Sequence, residues 1–135
     1  MEYSELIPKT KSDYERVALL KEAEKEKILP ILPQLLEWLQ DMNWPIAQDI
    51  EDIILKYEEH LITHIRVVMK SNDGGWKYFL LHGLITRLSN EILLELKPDL
   101  VRMKLCPTKD EIVAEIAEKI EDLLVRIDSA NGKRS

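Results

Sequence analysis

DMNW at residues 41–44 and DGGW at residues 73–76 are one corner written twice, 32 positions apart. In each, an Asp able to accept from free backbone N–H groups precedes two turn residues and a Trp that enters an apolar series at helical spacing. Extended in both directions, the interval places Ser12, Trp44, Trp76 and Thr108 at equivalent helix starts. Leu29, Leu61 and Leu93 keep the same spacing, as do Leu36, Val68 and Leu100. A fixed period of roughly 20 to 50 residues with two helices per unit marks chains whose hairpins bury apolar faces only against their neighbours.

The fold class this predicts is all-α, a short α-solenoid of HEAT-like helical hairpins with a period of about 32 residues and seven main helical segments. No Asn-Gly or Asp-Gly turn separates two alternating stretches, so no sheet is expected. Thr108-x-x-Glu111 and Ser12-x-x-Glu15 read as capping boxes. Ile112, Val113, Ile116, Ile120, Leu123, Leu124 and Ile127 follow the first box at i, i+3, i+4 spacing, which predicts one continuous helix from Asp110 to Ile127. Pro45 suits a first helical position, and WKYFLLHGLITRL after Gly75 reads as a central helix apolar nearly all round. Residues 1–128 are expected to form a single helical-repeat domain, with 129–135 as a flexible tail.

The chain has 135 residues, 45% hydrophobic and 33% charged, ample for one buried core. A formal net charge of −6 repels a polyphosphate backbone, and the basic residues are scattered among acids, so no nucleic-acid partner is expected. No apolar run approaches the roughly 20 residues of a membrane span, and no membrane partner is expected. One cysteine, Cys106, excludes an internal disulfide, and MEYSELIPK lacks the basic start and apolar stretch of a secretory leader. A cytoplasmic location follows as the expectation.

LIPK at 6–9, LLEWLQDMNWPIA at 35–47, HIRVV at 64–68 and WKYFLL at 76–81 resemble, in order and spacing, the bacterial domain-of-unknown-function family numbered 5071. The likeness runs from about Leu6 into the last helix. It implies a compact helical, HEAT-like domain and supplies no activity, substrate or catalytic residue.

Glu58-Glu59-His60 followed by His64 is the nearest approach to a metal motif, since histidines at i and i+4 on one helix can share an ion. Leu61 stands where a metalloprotease helix needs Glu, and no metal is expected. Tyr78 and His82 share a helical face, and Asp41, Asp73, Lys77 and His64 could approach them from neighbouring turns as an inner-groove polar cluster. His82 also falls in register with Ile50 and Ala18, the position of a core histidine. The recurrent Trp44 and Trp76 are read as packing between turns, with a ligand surface as the other reading. Together Asp41, Trp44, His64, Asp73, Trp76, Lys77, Tyr78 and His82 form the candidate binding surface. No catalytic set or cofactor is expected. The function this supports is a non-enzymatic module that engages a protein partner. An immunity-type inhibitor of a bacterial toxin is one alternative, and a small metal-dependent or acid-base hydrolase using His60, His64 and His82 is another.

Overall fold

The expected apolar stripes are present, but prolines and tertiary anchors cut them into shorter pieces than seven helices. A computed structural model describes residues 3–132, and the described residues form helices and turns with no strand. Two compact units divide the chain, one ending at His64 and the other beginning at Ile65.

In the first unit, a 3-10 turn at Tyr3–Leu6 precedes α1 (Tyr14–Glu22) and α2 (Lys25–Ile28). The cap of α1 is Asp13, which accepts from Arg16 N–H at 3.1 Å, and not the Ser12 expected from the box pattern. Carboxylate and hydroxyl compete for the same free donors one residue apart, and the charged acceptor makes the stronger bond. Next come a 3-10 turn at Leu29–Ile31, α3 (Leu32–Leu36) and another 3-10 turn at Glu37–Leu39. Pro30 and Pro33 each stand in the first turn of their segment, where a missing N–H costs nothing; a continuous helix would place them in its interior. The pieces still bury one stripe, Ile28, Ile31, Leu32, Leu35, Leu36 and Leu39. Each fully buried aliphatic side chain contributes about 1.5 to 3 kcal/mol.

Helix α4 (Ala47–Leu55) starts two residues after Pro45, which lies in the corner itself. Ile46 N–H is committed outward to the Lys11 carbonyl at 3.1 Å, tying the corner to the entry of α1. Ile46, Ala47, Ile50, Ile53 and Ile54 complete the core of this unit. A 3-10 turn at Glu58–His60 leads to α5 (Ile62–Met69), within which the boundary between the units falls.

The second unit continues with α6 (Gly74–His82), α7 (Leu84–Arg87), α8 (Asn90–Glu95), α9 (Lys97–Leu105), α10 (Lys109–Val113) and α11 (Ala117–Gly132). The expected central helix stops at Gly83, and its Tyr78 and His82 face is exposed rather than covered. The expected helix from Asp110 to Ile127 is also broken. Glu115 has φ 54°, a left-handed value, and Ile112 and Val113, expected in the buried stripe, are 62% and 73% exposed. From Ile116 onward the stripe is buried as expected, through Ile120, Leu123, Leu124 and Ile127. The break goes with a change of packing partner: α10 is fixed to α6, whereas α11 packs chiefly along α9, with smaller contacts to α8 and α6. Helix α11 takes in Ser129 to Gly132 of the expected tail, and residues 133–135 lie outside the described residues.

Polar ties between elements of this unit span separations of up to 40 residues, and four of them fall at 31 to 33. Arg66 donates to Asp99 and Lys77 to Asp110, each 33 residues apart; Arg102 reaches the Met69 carbonyl across 33, and Lys97 reaches Asp128 across 31.

Candidate functional site

Helix α6 presents different chemistry on its two sides. Asp73 caps it by accepting from Trp76 N–H at 3.0 Å, and Ser71 holds the preceding turn by accepting from Asp73 N–H. Gly74, inside the first turn, is where α10 comes closest: a Cβ there would lie 2.3 Å from the Asp110 carbonyl oxygen. Only glycine permits that approach.

Lys77 follows on the inward side and is fully buried. Its Nζ donates to Asp110 Oδ2 at 2.8 Å and to Glu111 Oε2 at 2.7 Å. Glu111 also accepts both guanidinium nitrogens of Arg102, at 2.7 and 2.6 Å, and the Thr108 N–H at 3.0 Å, so the expected capping box is present and built into an ion cluster. Burial alone raises the Glu111 carboxyl, but the hydrogen bonds from Arg102, Lys77 and Thr108 outweigh it and bring it down to about 2. Those bonds favour the charged form of Glu111 and the reciprocal pairing raises Arg102. With its counter-charges supplied internally, Lys77 belongs to the packing of α6 on α10 and not to an open groove.

On the outer side, Tyr78 and His82 come together as expected, with ring centroids 4.2 Å apart. His82 is not a core residue. Desolvation, then the positive charge of Lys119, lowers its imidazole below the ordinary histidine range. Tyr78 forms a shared wall of two adjoining hollows. One, about 670 Å³, is walled by Gly74, Gly75, Val113 and Ala114; the other, about 470 Å³, by Ala114, Glu115, Glu118, Lys119 and Asp122. The first is mainly apolar, and the second carries three acids against one lysine. Trp76, beside this face, is half-buried, and its Nε1–H has no acceptor among the described residues.

Asp41, Trp44 and His64 belong to the first unit. Asp41 accepts from Asn43 N–H at 2.9 Å and shapes the corner turn. Trp44 meets Trp38 edge to face, with centroids 5.7 Å apart, and both rings line a hollow of about 250 Å³ together with Ile7 and Pro8. Both rings are half-buried, so Trp38 is no more exposed in kind than Trp44. His60 sits on a 3-10 turn and His64 on α5, which removes the single-helix geometry of a shared metal ligand pair. Among the described residues no three His, Cys, Asp or Glu side chains converge as ligands. Desolvation lowers the His64 imidazole.

The segments that shape these features, from LIPK through both Trp corners to α11, are matched as one run by a family model described as a domain of unknown function, DUF5071, over residues 6–124. The chain belongs to that family. No curated protein matches it. Its DUF5071 region therefore includes both the Trp38–Trp44 corner and the α6–α10 cleft. No helix among the described residues is long and apolar enough to cross a membrane.

Sequence reasoning missed Val113, Glu115, Glu118 and Asp122 as site residues because all four lay in a stretch that read as one ordinary amphipathic helix. The burial of Lys77 did leave a signal. Lys77 shares an i, i+3, i+4, i+7 face with Leu80, Leu81 and Leu84, all buried, and a lysine on such a stripe requires an acid brought to it.

Proposed function

We propose that this chain is a non-enzymatic helical-repeat module that binds a protein partner at the cleft between α6 and α10. One observation carries the reading: an open apolar hollow of about 670 Å³ with Val113 73% and Tyr78 40% exposed at its walls. Exposed large side chains grouped around a concavity in a chain this acidic favour a contact surface over scattered surface apolarity. The aromatic wall is of the residue type that anchors interfaces.

We further propose that the helix pairs stack in the HEAT-like manner with a period of about 32 residues. Support comes from the side-chain ties at separations of 31 and 33, the geometry expected when equivalent positions of successive repeats lie side by side.

The test is site-specific photocrosslinking in the cells that make the protein. A photoreactive residue at Val113 is expected to trap one defined protein, and the same group at Val67, exposed on α5, is expected to trap none of it. Identical crosslinked species from both positions, or none from Val113, would remove the reading.

A further inference from the structure

The two hollows differ in chemistry and adjoin, since Tyr78 and Ala114 line both. The mainly apolar one offers two glycine backbones, Val113 and the Tyr78 ring beside Asn72, Thr108, Lys109 and Asp110, a surface that gains chiefly by covering apolar groups. At its end Glu115, Glu118 and Asp122 line the second hollow, with no ion pair or hydrogen bond from these side chains among the described residues, and Lys119 is the single cation beside them. Elsewhere in the unit, by contrast, Asp99, Asp110, Glu111 and Asp128 are each paired with a lysine or arginine. His82, held neutral at ordinary pH, adds no compensating charge. An apolar occupant extending into this end meets a net negative field and must either leave two charges unanswered or bring cations.

Resting on the protein-partner reading above, we propose that the occupant is a segment of the partner in which an apolar anchor side chain is followed by lysine or arginine. The anchor fills the space between Gly74, Tyr78 and Val113, and the basic residues lie against Glu118 and Asp122. The break makes this possible: α10 ends at Val113, which is 73% exposed, Glu115 takes a positive φ, and α11 begins at Ala117 with Glu118 and Asp122 lining the adjoining hollow. Tyr78 can stack on an arginine guanidinium where the two halves meet, which favours a basic residue close after the anchor.

A random-peptide library displayed on phage, selected against the full chain with counter-selection on Val113→Asp, tests the chemistry directly. The expected enrichment is for peptides with an apolar residue shortly before Lys or Arg. A selected peptide, labelled and followed by fluorescence polarisation, is expected to bind about fivefold to tenfold more weakly to Glu118→Lys and to Asp122→Lys at low salt, with the difference shrinking as salt rises. Both side chains are exposed, and circular dichroism checks that the variants keep their helices. Enrichment of acidic or uncharged peptides that still require Val113 would overturn the basic character of the partner while leaving a docking cleft. Peptides that bind Val113→Asp equally well, or no enrichment, would overturn the proposed site. Conversely, basic-apolar peptides selected at Val113 alongside failed crosslinking in cells would preserve the chemistry and remove the partner reading.

Discussion

Replacing Lys77 with Met keeps the length of the buried stem and removes the ammonium, leaving Asp110 and Glu111 without it. Removing one member of a buried ion pair costs about 3 to 5 kcal/mol, because the remaining charge stays out of water. Two features set the expected value at the lower end. Asp110 is 16% exposed and can recover some hydration, and Glu111 keeps both Arg102 bonds and the Thr108 N–H. The volume change contributes little, since Met fills the same channel. An expected loss of about 3 kcal/mol moves a urea midpoint by roughly 1 to 3 M at the slopes usual for small proteins. Adding Glu111→Gln to Lys77→Met is expected to cost less than it does alone, because the shared contact is already gone. Acid titration gives a second readout. Folding lowers the Glu111 carboxyl from 4.5 to about 2, so its contribution is complete above pH 4.5 and is lost as pH falls toward 2. That shift corresponds to roughly 3 kcal/mol. Lys77→Met removes one of the causes and is expected to shrink this acid-dependent loss. An unchanged midpoint, with the two substitutions strictly additive, would refute the claim that this cluster fastens α6 to α10.

Gly74→Ala is expected to destabilise by more than about 2 kcal/mol despite Ala's better helix propensity, because the new Cβ meets backbone at 2.3 Å; Gly75→Ala, with its nearest neighbour at 3.6 Å, is expected to stabilise by up to about 1 kcal/mol. Urea melts of the two neighbours separate space from propensity. Trp38→Ala and Trp44→Ala are expected to show a coupling of about 0.5 to 1.5 kcal/mol in a double-mutant cycle from their edge-to-face contact, and additive losses would show the rings act independently. Glu115→Gly is expected to raise the thermal midpoint by relieving about 1 kcal/mol of left-handed strain, and a lower midpoint would count against that backbone conformation.

The helical class was legible because Leu, Ile and Val at i, i+3, i+4 spacing must be covered, and residues such as Leu35, Ile50 and Ile120 are covered as their spacing requires. Asp73 and the Thr108–Glu111 box were legible for a local reason: caps act within four residues. The breaks were harder to read. Gly83 at least carried the usual mark, but Ala114-Glu115-Ile116 is good helical sequence, and only α10 held at one end and α11 packed along α9 force Glu115 into a left-handed turn. The cleft inherits that difficulty, since the outward face of Val113 exists only because of the turn. Lys77 shows the converse case, where a buried stripe was readable but the distant acids that answer it were not.

The separation between Lys77 and its acids also orders events during synthesis. When Lys77 is added to the growing chain, Asp110 and Glu111 are still 33 and 34 residues from synthesis. At about 5 to 20 residues per second, roughly 2 to 7 seconds pass before those carboxylates have even been made. Until then the apolar flank of α6, with Leu80, Leu81 and Leu84, cannot close without trapping an unanswered ammonium. Fastening of α6 to α10 through this cluster therefore waits on the later segment, and the ion pairs can form only after Asp110 and Glu111 have followed Lys77 in the chain.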